Sequence, residues 1–241
     1  MTIWALCDGK QFIKKISVDS WRVVEAQHIL SSRDLVDSRE EHDLLEALIE
    51  ESKPPIEKEK NYLLFTPFRY PPLRYGSRFG RIFEPSLWYG SLELETAFTE
   101  VAYYRLKFFD DTAAHLGDVE ILMTAFSANL LSDRGIDLTE EPFDKYCQDI
   151  SNKLSYKESQ SLGTKMREDS IESFIFYSAR THEAKKNIGV YVPSVFKLKK
   201  NQYVNNQQTW KCFANKHLIE FTRIEISSKK QLSFSEEFFN Q

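Results

Sequence analysis

The chain has 241 residues, of which 41% are hydrophobic and 14% are aromatic, so it can bury a substantial core and is not an intrinsically disordered protein. The net charge of −4 excludes a generally basic surface of the kind that binds along a nucleic-acid backbone. No stretch of the sequence has the length and apolarity of a membrane-spanning helix, which predicts no membrane partner.

The N-terminal part of the chain is predicted to be a helical extension. Residues 21–30 and 40–51 have helical patterns, and the charged, proline-containing stretch 50–60 favours a linker. The expected organisation is therefore a helical extension over residues 1–60, followed by a main domain over residues 61–241.

A predicted corner between a strand and a helix carries the most informative polar residues. Residues 86–90, bounded by Pro85 and Gly90, predict a short buried strand, and Ser91 is expected to cap the following helix. A stripe at helical spacing predicts the buried face of that helix. The stripe consists of Leu94, Ala97, Phe98, Val101, Arg105 and Phe108. Glu100 lies at the border of this face, where its carboxylate is expected to face a cleft; the alternative is an ordinary solvated glutamate.

The remaining elements do not alternate regularly. Strands are expected over residues 119–125, 171–177, 187–192, 209–213 and 217–226, and helices over residues 143–154 and 157–169. This order favours an α+β fold over a doubly wound sheet. The sequence contains no P-loop, no glycine-rich dinucleotide fingerprint and no internal repeat.

Four arginines lie in a loop, broken by proline and glycine, before the predicted strand. They are Arg69, Arg74, Arg78 and Arg81. Guanidinium groups recognise phosphate oxygens, and each charge-assisted contact contributes about 1.5–3 kcal/mol. On a mildly acidic chain, such a local cluster indicates a small anionic ligand. Arg78, Tyr89 and Glu100 follow one another at intervals of eleven residues, which brings a cation, a ring and a carboxylate to one corner and is typical of a nucleotide site.

This segment resembles the RES family, the toxins of bacterial RES–Xre toxin–antitoxin pairs. The family pattern has an aromatic–Arg pair, a Gly-(Gly/Ser)-Arg-aromatic turn, a strand-end Tyr and a helical Glu. Those places are filled by Phe68-Arg69, Gly76-Ser77-Arg78-Phe79, Tyr89 and Glu100. The family serine, which ends a later strand, corresponds to Ser178. The resemblance covers about residues 60–220, and the turn departs from the commoner Gly-Gly-Arg-Trp-Asn.

The resemblance implies an ADP-ribosyltransferase-like mixed sheet flanked by helices, and an enzyme that breaks down NAD+. NAD+ would be the substrate, cleaved by hydrolysis or phosphorolysis, and its depletion would arrest growth. The implied partner is an Xre-type antitoxin, and a homodimer is left open. No other cofactor is implied. The scattered histidines predict no metal site, and the three distant cysteines predict no disulfide framework. The cysteines and the lack of a signal-like start favour the cytoplasm, with secretion by a route that needs no N-terminal signal left open.

Cleavage of the nicotinamide–ribose bond passes through an oxocarbenium-like state, and nicotinamide leaves without a general acid, so one carboxylate suffices. Glu100 is assigned to the ribose, where it would stabilise the positive charge. The resemblance implies that Arg69 and Arg78 hold the pyrophosphate. Tyr89 would stack on nicotinamide or its ribose, and Ser178 would hydrogen-bond on the same side.

Two further hypotheses remain open. One is a mono-ADP-ribosyltransferase that modifies a macromolecule with the same Arg, Tyr and Glu. The other is a non-enzymatic module whose arginine loop binds a phosphorylated ligand. A second strand-end serine, Ser194, is set aside in favour of Ser178, because Pro193 ends its strand and a turn cap is the expected role.

Overall fold

The computed structural model describes residues 1–26, 36–51, 61–70, 72–114, 116–225 and 230–240. Within these ranges, nine strands form one mixed sheet flanked by helices, which confirms the α+β class. The strands are β1 Lys14–Glu25, β2 Trp88–Ser91, β3 Val119–Asp137, β4 Ser173–Tyr177, β5 Lys186–Val190, β6 Phe196–Lys197, β7 Val204–Ala214, β8 Leu218–Arg223 and β9 Gln231–Ser235. The helices are α1 Ile3–Leu6, α2 Arg39–Glu51, α3 Tyr62–Phe65, α4 Leu94–Asp111, α5 Cys147–Ile150, α6 Lys157–Glu168 and α7 Glu236–Phe239.

The long strand β3 organises the sheet. It pairs antiparallel with β1 from Met123 to Gly135 on one edge, and its N-terminal half, from Val119 to Ala128, pairs antiparallel with β7 on the other. Its C-terminal end pairs in parallel with β4, and β5 and β2 follow β4. The strand β2 then returns to β1 through the pair Trp21↔Ser91. Five strands, β1, β3, β4, β5 and β2, therefore close into a ring.

Side chains from all five strands of the ring meet in one apolar cluster, which includes Ile16, Trp88, Phe126, Ile175 and Ile188. Because every strand contributes to this cluster, the relative positions of the strands are fixed by a shared core. Polar side chains at the ends of these strands are held with the same precision.

The helix α4 packs on the other part of the sheet. Its fully buried Phe98 lies 4.5 Å from the ring of Trp210 and 4.7 Å from that of Phe221, measured between centroids. Burying an aromatic side chain of this size stabilises the fold by about 1.5–3 kcal/mol. This anchor fixes the rotation of α4, and hence the direction in which Glu100 leaves the helix.

Four local expectations are wrong, and two of them concern helices. The helix expected over residues 21–30 is, over the described part, the end of β1, because Trp21, Val23 and Val24 pair with β3 and such residues suit a pleated surface. Residues 27–30 lie outside the described residues, as does most of the expected linker 50–60. The expected helix over residues 143–154 is reduced to a 3-10 turn, Asp144–Tyr146, and the single turn α5.

That helix stops early because Asn152 redirects the chain. Its side-chain oxygen accepts hydrogen bonds from the backbone N–H groups of Leu154 and Ser155, at 2.9 and 2.8 Å, which closes a turn in place of another helical turn.

The other two wrong expectations concern α4. At its start, Ser91 is a buried strand residue and does not cap the helix. Phe108, expected on the buried face, is 58% exposed.

The other expected elements are present with shifted ends. The expected helices over residues 40–51 and 157–169 correspond to α2 and α6. The expected strands 119–125 and 209–213 lie within the much longer β3 and β7. The expected strands 171–177 and 217–226 contain β4 and β8, and 187–192 overlaps β5, which begins one residue earlier. Side-chain patterns located these strands, and neighbouring strands determined how far they extend.

Candidate active site

The carboxylate of Glu100 is the centre of a hydrogen-bonded cluster. Glu100 is partly buried on α4, as expected from its place at the border of the apolar face. Its Oε1 accepts two hydrogen bonds of 2.6 Å, one from the Ser178 hydroxyl and one from Nδ2 of Asn187. No described residue donates to Oε2, so among the described residues only one oxygen of the carboxylate is held by side-chain donors.

Asn187 is held in turn by Ser91. The two residues are opposite each other in the antiparallel pair β2–β5. The Ser91 hydroxyl donates to Oδ1 of Asn187 at 2.7 Å, and both side chains are buried. The amide thus has a partner at each end.

Ser178 follows directly after β4, at the strand end where sequence reasoning placed it. Its hydroxyl donates to Glu100 and accepts from the backbone N–H of Arg180 at 3.1 Å. The buried guanidinium of Arg180 lies over the ring of Tyr103, with its Cζ 3.5 Å from the centroid. Since Tyr103 is on α4, this stacking fastens the β4 end to the helix that carries Glu100.

Two tyrosines connect Glu100 with Arg78. Tyr104 lies one helical turn after Glu100, and its hydroxyl is 2.8 Å from that of Tyr156. The ring of Tyr156 lies under the guanidinium of Arg78, 4.6 Å from Cζ to centroid. Tyr104 is 49% exposed, so this pair borders solvent. Tyr104 also interacts electrostatically with Glu100. Tyr104 and Tyr156 therefore form a wall between the carboxylate of Glu100 and the guanidinium of Arg78.

Arg78 belongs to a tight turn closed by a bridge between Ser77 and Gly80. The arginine is buried, and its Nη1 donates to the backbone carbonyl of Asn152 at 2.7 Å. No described residue accepts a hydrogen bond from its Nε or Nη2.

Tyr89 holds that turn. Its hydroxyl accepts a hydrogen bond from the backbone N–H of Phe79 at 3.0 Å and lies 3.0 Å from the Ser77 hydroxyl. Burial raises the pKa of Tyr89 to about 12, so the hydroxyl stays neutral and keeps these contacts at ordinary pH. Its ring packs edge-on against Phe176.

The remaining arginines of the loop are placed differently. Arg69 is buried directly after the 3-10 turn Thr66–Phe68, and the contacts that join the other predicted residues do not include it. Arg74 is exposed beside the ring of Tyr75. The backbone N–H of Arg81 donates to Glu84. Among the contacts described above, the guanidinium of Arg78 is the one that stacks on the wall, through Tyr156.

Sequence reasoning missed four residues of this cluster. Tyr104 was accessible to it, because it lies four positions after Glu100 on a predicted helix. Sequence reasoning could not place the other three, Asn187, Arg180 and Tyr156, because their contacts depend on strand pairing and on a loop that no local pattern specifies. Asn187 gave a weak signal, as a polar residue that begins an otherwise apolar predicted strand.

Two further properties concern the described residues only. No group of three or more His, Cys, Asp or Glu side chains among them is arranged to hold a metal ion. None of the described helices is both long and apolar enough to cross a bilayer.

Comparison with known proteins defines the class to which this fold and site belong. The family model described as the RES domain matches residues 55–213. The chain belongs to the RES domain family. Among solved structures, it is similar to a chain in the crystal structure of the M. tuberculosis MbcT–MbcA toxin–antitoxin complex, with a TM-score of 0.50.

That structural match has 9% sequence identity and covers 83% of this chain and 87% of the other. At such low identity it shows a shared fold. A search of curated protein sequences gives no match.

Proposed function

We propose that this protein is the toxin of a toxin–antitoxin pair and that it consumes NAD+ at Glu100. Membership of the RES domain family supports the proposal, as does the structural similarity to a chain of a toxin–antitoxin complex. The observation that carries it is the carboxylate of Glu100, fixed through Oε1 and free at Oε2, on a wall that ends at Arg78.

The chemistry needs few groups. As the nicotinamide–ribose bond breaks, positive charge develops on the ribose, and nicotinamide departs neutral. A carboxylate oxygen held near that ribose stabilises the charge as it forms, without having to reorganise. In this proposal Oε2 of Glu100 takes that role, and it also orients the hydroxyl of the acceptor.

The pyrophosphate of NAD+ is assigned to Arg78. Its Nη1 is held by the Asn152 carbonyl and its plane by Tyr156, so Nε and Nη2 are presented in a fixed direction. A guanidinium with a fixed orientation suits phosphate oxygens and loses little entropy on binding. Arg69 remains a second candidate for the pyrophosphate, and Tyr89 for stacking on the nicotinamide side.

Ser178 is proposed to act through Glu100. Its hydroxyl donates to Oε1 of Glu100, and its oxygen accepts from the backbone N–H of Arg180. A serine nucleophile needs a base to take its proton, and Glu100 could take it only by giving up the negative charge that this proposal requires beside the ribose. Ser178 therefore orients the carboxylate on the nicotinamide-ribose side and does not attack the substrate.

A protein inhibitor is part of the proposal, because an unrestrained NAD+ consumer in the cytoplasm would harm its own cell. We assign this role to an Xre-type antitoxin. Large apolar side chains are exposed in the loop that carries Arg78, which is typical of a surface that binds protein. They are Leu73 at 71%, Tyr75 at 78%, Ile82 at 59% and Phe83 at 73% exposed.

The same exposed loop also suits the alternative of a mono-ADP-ribosyltransferase, since a macromolecular acceptor needs a docking surface. Incubation of the purified protein with NAD+, with and without phosphate, separates these possibilities. Hydrolysis yields nicotinamide and ADP-ribose, and phosphorolysis yields nicotinamide and phosphorylated ADP-ribose. Labelled ADP-ribose attached to protein would favour the transferase, and intact NAD+ in every condition would contradict NAD+ consumption.

A further inference from the structure

A chain of hydrogen bonds runs from the β2–β5 pair to the carboxylate of Glu100. The Ser91 hydroxyl donates to Oδ1 of Asn187 at 2.7 Å, and Nδ2 of Asn187 donates to Oε1 of Glu100 at 2.6 Å. Ser91 is 2% and Asn187 is 4% exposed, so water does not compete for these contacts. The Ser91–Asn187 link lies wholly inside the protein.

We infer that Asn187 is a positioning residue for the reaction, and that Ser91 sets the orientation of its amide. The inference rests on the proposed role of Glu100 in NAD+ cleavage. Asn187 acts through Glu100 and is not assigned a contact with the substrate.

The orientation of the amide matters because its two ends have opposite polarity. The NH2 end donates to a carboxylate, whereas the oxygen end repels it. Since Ser91 donates its proton to Oδ1, the NH2 group is directed toward Glu100. Without the Ser91 hydroxyl, rotation of the Asn187 amide would no longer break a hydrogen bond to Ser91. The rotated orientation would then be more populated, and the NH2 group would donate to Glu100 for a smaller fraction of the time.

The sheet gives this contact its precision. Asn187 is paired with Ser91 on one side and with Phe176 of β4 on the other, so its backbone is fixed between two strands. Glu100, in contrast, extends from a helix on a flexible side chain, and immobilising such a chain costs conformational entropy. Two donors on one oxygen offset that cost before the substrate arrives, and they leave Oε2 in a single direction.

Three variants test the inference. Asn187→Asp keeps the size of the side chain but places a carboxylate within hydrogen-bond distance of another carboxylate, so the pair shares a proton. Ser91→Ala removes the hydroxyl that orients the amide. Ser173→Ala is the matched control, because Ser173 is a fully buried strand serine on β4 whose hydroxyl has no hydrogen-bond partner among the described residues.

We expect kcat for NAD+ at pH 7 to fall about tenfold or more in Asn187→Asp, with the acid limb of the rate–pH profile moved about one unit or more to higher pH. Tyr104 interacts electrostatically with both Glu100 and Arg180, and neither Tyr104 nor Arg180 is changed in this variant. In Ser91→Ala, kcat should fall about fivefold with KM nearly constant, as one buried hydrogen bond is lost. Ser173→Ala should stay within about twofold of the parent.

The inference is overturned if Asn187→Asp keeps the parent's rate and pH profile, or if Ser91→Ala behaves like Ser173→Ala. A second readout does not depend on turnover. Carboxyl carbon NMR of Glu-labelled protein, with the Glu100 signal assigned from Glu100→Gln, should show titration of Glu100 at higher pH in Asn187→Asp than in the parent. If that shift is seen in a protein that leaves NAD+ intact, the contact stands and the proposed function fails. An unmoved midpoint overturns the inference itself.

Discussion

Ser178 and Glu100 are 78 residues apart in the sequence and 2.6 Å apart in the fold, measured from the serine oxygen to Oε1. Ser178 reaches this position because β4 ends one residue earlier, beside the strand β5 that carries Asn187. The two donors approach the carboxylate from neighbouring strands, and the helix supplies the carboxylate. The site is thus a junction of α4 with the ends of β4 and β5.

This relationship distinguishes Ser178 from Ser194. Ser178→Ala should lower NAD+ turnover roughly tenfold, since loss of one hydrogen bond worth about 1.4 kcal/mol frees the carboxylate of Glu100. Ser194 is exposed in the 3-10 turn Pro193–Val195, and its replacement by alanine should have little effect. Steady-state rates of the two purified variants decide the matter. The reverse ranking would mean that Ser194, and not Ser178, is the functional serine.

Substrate affinity should depend on Arg78. Arg78→Ala is expected to weaken NAD+ binding by about 1.5–3 kcal/mol through loss of a charge-assisted phosphate contact, and Arg78→Lys should recover only part of it. Calorimetry in a Glu100→Gln background measures affinity without turnover. Arg74→Ala, which removes an exposed guanidinium from the same loop, is the control.

Because Arg78 also donates to the Asn152 carbonyl, urea unfolding should accompany the measurement to separate a lost ligand contact from a loosened loop. Equal NAD+ affinity for Arg78→Ala, Arg74→Ala and the parent would place Arg78 outside the substrate site.

The hydroxyl of Tyr89 should stabilise the turn closed by Ser77 and Gly80, beyond the apolar packing of its ring. Tyr89→Phe leaves the buried backbone N–H of Phe79 without its acceptor, so the free energy of unfolding should fall by about 1–3 kcal/mol. Tyr75→Phe, at an exposed position, should change it little. Urea unfolding of the three proteins at pH 7 is the measurement, and equal stabilities would contradict the assignment.

The contribution of Tyr89 should also depend on pH. Burial raises its pKa to about 12 from the ordinary value of 10.0, so the folded protein keeps a proton that the unfolded chain loses between these values. The stabilisation is complete below pH 10 and declines as the pH approaches 12. The stability difference between the parent and Tyr89→Phe should therefore narrow over that interval, and a difference that stays constant would argue against a buried, neutral hydroxyl.

The sequence predicted some residues of the site but not others. The stretch from Arg78 to Glu100 has a strong local pattern, and Ser178 could be found as a strand-end residue. Of the two donors to Glu100, the sequence predicted Ser178 but not Asn187, because Asn187 is positioned by the pairing of β2 with β5. Pairing between distant strands is set by the whole sheet and leaves little trace in the residues themselves.

The fold was also predicted only in part. The α+β class followed from the irregular order of elements, and α6 has nearly its expected limits. The error at residues 21–26 arose because that segment, taken alone, suits a helix, whereas an eleven-position ladder with β3 makes it a strand. Tertiary pairing overrides local propensity where a long partner strand is available.

Toxicity should require the intact site. Expression of the parent without a partner should arrest growth and lower cellular NAD+, and co-expression of an Xre-type antitoxin should prevent both. Growth curves combined with NAD+ assays test this expectation, with Glu100→Gln as the non-toxic control. Accumulation of the unaccompanied parent at normal cellular NAD+ would contradict the toxin proposal.

The central claim is that the carboxylate of Glu100 carries NAD+ cleavage, and the most direct measurement is the NAD+ turnover of purified parent and Glu100→Gln. The amide cannot stabilise a cationic transition state, so turnover should fall about 10²-fold or more while the unfolding curve stays that of a folded protein. Glu95→Gln, on the exposed face of the same helix, should retain the parent's rate. Turnover near the parent's level in a correctly folded Glu100→Gln would remove Glu100 from the mechanism and contradict the claim.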